Sequence, residues 1–359
     1  MYVIILVFPY LVDESSLEKA KKQPKVFKKI TWNETDSEDA EWKKRGLARE
    51  ALVAKVCQED YSENPENFKH KKCFYLDHSN PYLRLGPIKT QVYSKEPLRL
   101  VFVDFMHPNE IDYLINKSKP NLSRLRHVDP SNYRGNKRDY NTGKRSTIIH
   151  KTVQYWFNDL DYPNLPNITS KVQDPSDDPN FSEVEFECSN CDVMKMVDEK
   201  VHKLSQRILQ VTKMTPIGQF SSSQYQTTNY GLAGLCEIHA DPAGYVMHDI
   251  KMSFDAKRHR ISGDIIATVM GWLSDVKAGG ATSFIQPGHE MLIQPEKGSV
   301  AFWMDLKADS TVDERTVHAG CPILMGQKWI FNKWLYSFDQ WKNYPCLLEK
   351  GQTLKFADI

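Results

Sequence analysis

The C-terminal half of the chain has a rhythm that few folds accommodate. From residue 223 onward, short runs rich in β-branched and aromatic residues recur at 223–228, 234–240, 265–273, 282–285, 291–293, 299–305, 318–324 and 329–336. Turn formers punctuate them: Gly279-Gly280, Pro287-Gly288, Pro295 to Gly298, and Gly326. Many short strands separated by such turns predict a jelly-roll sandwich. Upstream the pattern is different. Pro108 opens a helix that carries Ile111, Leu114 and Ile115 on one face and ends near Pro120. Val193, Val197, Val201, Leu204, Ile208 and Val211 recur every three or four residues, the stripe of an amphipathic helix packed on a sheet. A short helix is expected at 49–59, an extended connector at 74–92 and a strand at 98–105. Helices ahead of a run of strands give an α+β domain, a double-stranded β-helix core flanked by N-terminal helices.

Within the strand region, two stretches carry chemistry. His239 and Asp241 are two positions apart, and on a strand that spacing turns both side chains to one face. His318 lies 77 positions beyond Asp241 and supplies a second imidazole. Two imidazoles and one carboxylate make the facial triad of non-haem Fe(II) oxygenases, which leaves the opposite octahedral face open. Lys328 follows His318 by ten positions. A lysine in an apolar barrel is costly unless it meets an anion, and the far carboxylate of a 2-oxoglutarate chelating the iron would be that anion.

Several blocks in order resemble the catalytic domain of animal, collagen-type prolyl 4-hydroxylase alpha subunits. They are Tyr230-Gly231 through Gly234 to Glu237, His239 and Asp241; Leu273 to Val276 with Ala278 to Phe284; Lys297-Gly298 with Ala301-Phe302-Trp303; and His318 through Cys321-Pro322, Gly326, Lys328-Trp329 and Asn332 to Leu335. The resemblance covers roughly residues 50 to 346 and is weakest between about 155 and 220. It implies the 2-oxoglutarate-dependent dioxygenase reaction: hydroxylation of peptidyl proline in collagen-like X-Pro-Gly chains, coupled to decarboxylation of 2-oxoglutarate to succinate. Fe(II), O2 and L-ascorbate would be required. His239, Asp241 and His318 are the implied metal ligands. Lys328 and Tyr230 would hold the cosubstrate's far carboxylate, and Tyr336 occupies a neighbouring cosubstrate position. Two residues depart from the pattern. Collagen-type enzymes commonly carry a His where this chain has Tyr336, which can donate a hydrogen bond but cannot be cationic. They usually carry an Arg where this chain has Ile265, towards the peptide site.

The resemblance also implies disulfides Cys57–Cys73 and Cys321–Cys346, the second fastening the segment after the metal-binding His to the tail. Cys188 and Cys191 form a lone C-x-x-C and read as a local bridge, and Cys236 as a buried free thiol. Seven cysteines, with N-glycosylation tripeptides at Asn33, Asn116, Asn121, Asn167 and Asn180, fit the lumen of the endoplasmic reticulum. With 47 basic and 46 acidic residues, charge gives no support for nucleic acid as a partner, and no run is long enough for a membrane span. The expected partner is a proline-rich polypeptide. A protein disulfide isomerase subunit follows from the family, but only some 50 residues precede the matched region, so the family's separate helical domains are expected to be missing or shortened.

Three regions follow: 1–48, an apolar start (1–12, a signal-peptide core, a buried strand or a truncated start) and a charged stretch; 49–346, the catalytic domain; and 347–359, a tail. Within the domain, residues 123–151 are basic and Gly-hinged and read either as a solvated loop or as a loop closing over substrate. Residues 158–190 read as an insertion. Trp303, Trp329 and Trp334 are expected to pack the barrel, and His248, His259 and His289 to lie in loops. Two alternatives remain: the same chemistry on a non-collagen peptide or a peptidyl lysine, where an Arg usually takes the position of Lys328; and a catalytically silent peptide-binding module of the same fold.

Overall fold

The structure, a computed structural model, describes residues 51–58, 72–78, 80–124, 149–157, 160–161, 196–218, 221–242, 262–285, 290–347 and 352. Contacts divide the chain after Gly46, and everything described belongs to the unit Leu47–Ile359. The strands in chain order are β1 (Lys72–Leu76), β2 (Ile88–Lys95), β3 (Leu98–Val103), β4 (Ser123–Arg124), β5 (Ile149–Phe157), β6 (Leu160–Asp161), β7 (Met196–Val197), β8 (Tyr225–His239), β9 (Ile265–Trp272), β10 (Ala278–Gly279), β11 (Thr282–Phe284), β12 (Met291–Ile293), β13 (Val300–Met304), β14 (His318–Gly320), β15 (Ile323–Met325) and β16 (Lys328–Tyr336). Three helices accompany them: α1 (Pro81–Leu85), α2 (Pro108–Ser118) and α3 (Glu199–Thr212).

Twelve strands form one antiparallel sheet in the order β1-β2-β3-β13-β9-β16-β8-β14-β11-β12, with β5 against β8 and β4 against β5. The sheet is curled, and few helices accompany it. Its two faces are sorted by the strand period of two. Met270 and Trp272 of β9, Ala301 and Trp303 of β13, and Ile330 of β16 point inward, where they meet Phe284, Met291 and Ile323. Their neighbours Val269, Val300, Phe302 and Phe331 point the other way, onto the helices. The helices answer with Ile111 and Leu114 of α2 and Val201, Leu204, Ile208 and Val211 of α3. Each of those α3 side chains is at most 1% exposed, so each contributes about 2 kcal/mol by burial.

The helices begin and end for local reasons. Pro108 sits in the first turn of α2, and His107 and Glu110 complete a capping box. α2 stops at Ser118 and passes through a 3-10 turn containing Pro120. α3 begins later than the apolar stripe predicts. Asp198 caps it, accepting from the Val201 N–H at 3.2 Å, and Val197 lies in β7 instead. Asp198 also accepts from the Tyr113 hydroxyl (2.6 Å) and Lys117 (2.8 Å), tying α3 to α2. Arg207 adds a two-pronged pair with Glu110.

Three sequence expectations are corrected. The connector at 74–92 is a hairpin, β1 with β2, interrupted by α1; Asn80 caps that helix, Pro81 opens it and Gly86 ends it. The runs 223–228 and 234–240 are one 15-residue strand, β8, because β5 pairs along most of it while β16 and then β14 pair its other edge. The disulfide is Cys57–Cys321, not Cys57–Cys73 or Cys321–Cys346. Helical residues 51–56 dock Val53 and Val56 against Ile285 and Val317, which brings Cys57 beside Cys321, 5.4 Å between Cα atoms. Cys73 and Cys346 are exposed thiols, and Cys236 is a buried one as expected. Cys188, Cys191, the insertion 158–190 apart from β6, and most of 123–151 lie outside the described residues, as do His248, His259 and His289.

Candidate metal centre

The site is built where β8 and β14 run side by side. Their register places His318 directly opposite His239, with ring centroids 4.3 Å apart. Asp241 is not on the strand, as the two-residue spacing predicts, but in the bend just past its end. It still faces both rings: Oδ1 lies 3.7 Å from His239 Nε2, and Oδ2 lies 3.8 Å from His318 Nε2. The donor atoms of the three residues all lie within 4.8 Å of one another.

Second contacts fix which nitrogen each ring presents. His239 Nδ1 lies 2.8 Å from the Glu237 carbonyl, and His318 Nδ1 lies 2.9 Å from the Thr316 carbonyl. A carbonyl can only accept, so both Nδ1 atoms carry hydrogen and the Nε2 atoms are the ones turned towards Asp241; that of His318 offers a lone pair, and that of His239 does so once its proton leaves. The two rings divide their charge unequally. Burial, and then the charge on His239, pushes His318 down to about 4. His239 is also opposed by burial, but the neighbouring Cys236, Asp241 and the Glu237 carbonyl carry it up to about 10. One positive charge thus sits between two imidazoles and a carboxylate, where a divalent cation would replace a proton. The donor set, tautomers and spacing fit such an ion.

Lys328 opens β16 opposite Tyr230 of β8. It is 4% exposed, its Nζ donates to the Gly280 carbonyl at 2.7 Å, and it lies 5.7 Å from the centre of the Tyr230 ring. Among the described residues no carboxylate pairs with it. Burial lowers the amine to about 8 and raises the Tyr230 phenol, so the tyrosine stays a neutral donor. The carbonyl that meets Lys328 belongs to the Gly279-Gly280 turn, where both residues have positive φ. A Cβ on Gly279 would lie 2.2 Å from the Pro322 carbonyl oxygen, so the turn needs glycine there.

The imidazoles, Asp241, Lys328 and Tyr230 line one cavity of about 320 Å³. Tyr336 and Ile265, the two departures from the resembled pattern, line it as well. Trp303 is buried edge-on to His318 at 5.1 Å and also lines the cavity, while Trp329 is buried in the core as expected. Trp334 differs: it lines the cavity with Trp156, the two rings 5.7 Å apart. Sequence reasoning missed Trp156 and Thr268. Thr268 is a lone hydroxyl in an apolar strand, 1% exposed, and donates to Asp241 Oδ2 at 2.8 Å.

No family profile matches the chain. Among curated proteins, prolyl 4-hydroxylase subunit alpha-1 of Gallus gallus is 28% identical over 321 residues, covering 89% of this chain and 51% of that protein. Subunit alpha-1 of Rattus norvegicus is 29% identical over 316 residues (86% and 48%), and subunit alpha-2 of Caenorhabditis elegans 26% over 310 residues (85% and 46%). The chain spans about half the length of the curated relatives it matches. Among solved structures, the viral collagen prolyl hydroxylase of Paramecium bursaria Chlorella virus-1, in its 2OG complex, is similar at 20% identity, covering 67% of this chain and 96% of that one, with a TM-score of 0.38. Over most of its length the chain is thus similar to the animal prolyl 4-hydroxylase alpha subunits.

Proposed function

We propose that the unit from Leu47 catalyses Fe(II)- and 2-oxoglutarate-dependent 4-hydroxylation of peptidyl proline, with collagen-like X-Pro-Gly chains as the substrate class. One observation carries this reading: a buried lysine that meets no carboxylate among the described residues opens into the same cavity as two imidazole Nε2 atoms and an aspartate. A structural lysine would not be left so, since burying an ammonium without an anion is costly. His239, Asp241 and His318 hold the metal, and the Nδ1 hydrogens given to Glu237 and Thr316 lock both rings in the ligating tautomer. Lys328 and the neutral Tyr230 hydroxyl bind the distant carboxylate of 2-oxoglutarate and so orient its keto acid end. When bound, Fe(II) supplies the oxidative chemistry that couples 2-oxoglutarate decarboxylation to C–H hydroxylation. Trp334 and Trp156 offer flat apolar faces against which a prolyl ring can rest.

The same reading assigns ascorbate as the reductant that keeps the iron ferrous and the endoplasmic reticulum lumen as the compartment, with a protein disulfide isomerase subunit as the candidate partner. The relatives' names support proline as the target, and the intact donor set argues against a silent module. The test is CO2 release from 2-oxoglutarate with Fe(II) and ascorbate, with and without a Pro-Pro-Gly repeat peptide. The expected result is stimulation by the peptide and one added oxygen per modified proline. Peptide binding without stimulation or added mass would favour the module. Stimulation by a lysine-containing peptide alone would favour the lysyl reaction.

A further inference from the structure

Thr268 Oγ1 lies 2.8 Å from Asp241 Oδ2 and 2.7 Å from Asp305 Oδ2. Both partners are carboxyl groups, and a hydroxyl owns a single hydrogen. If both acids were ionised, one of these close contacts would set a lone pair against a lone pair in a buried site, where an unmade bond is expensive. One acid must therefore carry a proton. Asp241 stands 3.7 and 3.8 Å from the two imidazoles, and as the metal ligand it is the acid that gives up its proton on binding. Asp305 is fully buried at the end of β13 and forms no ion pair among the described residues. Its other oxygen, Oδ1, accepts from Trp303 Nε1 at 2.9 Å, which leaves Oδ2 as the oxygen to hold hydrogen.

We propose that Asp305 is held as a neutral carboxylic acid and acts, through Thr268, as a positioning residue for Asp241. The inference rests on the reading of Asp241 as a metal ligand. The chain of donors then runs one way: Trp303 Nε1–H to Asp305 Oδ1, Asp305 Oδ2–H to Thr268 Oγ1, and Thr268 Oγ1–H to Asp241 Oδ2. Every hydrogen in it is used once, and Thr268 Oγ1 accepts one and donates one. The charged groups around Asp305 agree with this polarity. Burial first, and then the negative charges of Asp241 and Asp264, raise its carboxyl well above the usual range. The Arg99 guanidinium on β3 is buried too, but it feels Asp313 more than Asp305 and donates to the Arg315 carbonyl at 2.5 Å. The directed hydroxyl fixes the rotamer of Asp241, which stands on a bend with no strand to orient it. Trp303 also packs edge-on against His318, so one buried acid supports a side chain next to two of the three ligands.

The test uses the full chain in two measurements. Infrared difference spectra between wild type and Asp305→Asn should show a protonated carboxyl C=O stretch at neutral pH in the wild type that the variant lacks. Co(II) binding, followed by its visible spectrum, gives the second. Asn can accept from Trp303 and donate to Thr268, so Asp305→Asn should keep Co(II) affinity within about threefold. Asp305→Ala and the isosteric Thr268→Val should lose about 10–100-fold with an altered spectrum, the size seen for outer partners of metal ligands, and Thr268→Ser should recover it. Absence of the carboxyl band in wild type overturns the neutral acid. Unchanged affinity and spectrum in well-folded Thr268→Val overturns the positioning role. A wild type that takes up no Co(II) overturns the metal-site reading itself, and the carboxyl band still reports on the neutral acid.

Discussion

Replacing Lys328 by Met should stabilise the metal-free protein while destroying its hold on 2-oxoglutarate. The amine is lowered from 10.5 to about 8 by burial, which corresponds to about 3 kcal/mol of disfavour for its charged form. At pH 7 the amine is still protonated in the folded state, so the whole penalty is present. Because the folded value is the lower one, the unfolded chain binds more protons between pH 8 and 10.5. Stability therefore rises with pH through that window and is lost again as pH falls through 8. Met fills similar space without charge. It forfeits a charge-assisted bond to the Gly280 carbonyl, a loss of about 1.5–3 kcal/mol. The net gain at pH 7 is about 1 kcal/mol, a melting temperature higher by on the order of 2 °C. With cosubstrate the order reverses, since an unpaired buried carboxylate costs about 2–5 kcal/mol, or about 30-fold or more in 2-oxoglutarate affinity. Thermal melts of both proteins at pH 7 and 10.5, with calorimetric titration of 2-oxoglutarate in Mn(II), measure all of this. A Met variant that melts no higher than wild type at pH 7, or that binds 2-oxoglutarate normally, would refute the reasoning.

Four further outcomes follow from the same contacts. His239→Ala or His318→Ala should abolish turnover and weaken Co(II) binding by more than about 100-fold, beyond the loss expected for an outer partner, as read by titration. Tyr230→Phe removes one neutral hydrogen bond of about 1 kcal/mol, so 2-oxoglutarate affinity should fall by less than about tenfold in the same calorimetric assay. Non-reducing peptide mapping should recover residue 57 cross-linked to residue 321, with Cys73 and Cys346 open to alkylation; a 321–346 peptide would contradict the connectivity. Cys57→Ser should lower stability by about 2–5 kcal/mol in denaturant melts, because the bond closes a long loop.

The parts of this site that sequence made legible are those whose chemistry is written in residue type and strand period. His239, His318 and Lys328 could be singled out because an imidazole or an ammonium on an apolar strand needs a reason. Asp241 was legible in identity but not in place: the strand ends at His239, and a bend turns its carboxylate inward. The length of β8 was hidden by Gly231 and Gly234, which read as a break. The strand runs on through Ala233 at positive φ because β5 pairs with it on both sides of that point, up to Tyr230 and again from Leu235, with a register shift between. The disulfide was not legible, since it depends on where the 51–56 helix docks, and that is decided by Val53 and Val56 meeting Ile285 and Val317. Nor was the Thr268–Asp305 pair. A threonine in a strand and an aspartate after one are ordinary surface patterns, and only burial makes them count as a network.

A crystal structure of the protein grown with Mn(II) and 2-oxoglutarate in the absence of oxygen tests the centre of this account. One Mn(II) should be bound by His239 Nε2, His318 Nε2 and an Asp241 oxygen, with the far carboxylate of 2-oxoglutarate on Lys328 Nζ. A metal held elsewhere, or a cosubstrate whose carboxylate leaves Lys328 donating only to the Gly280 carbonyl, would contradict it.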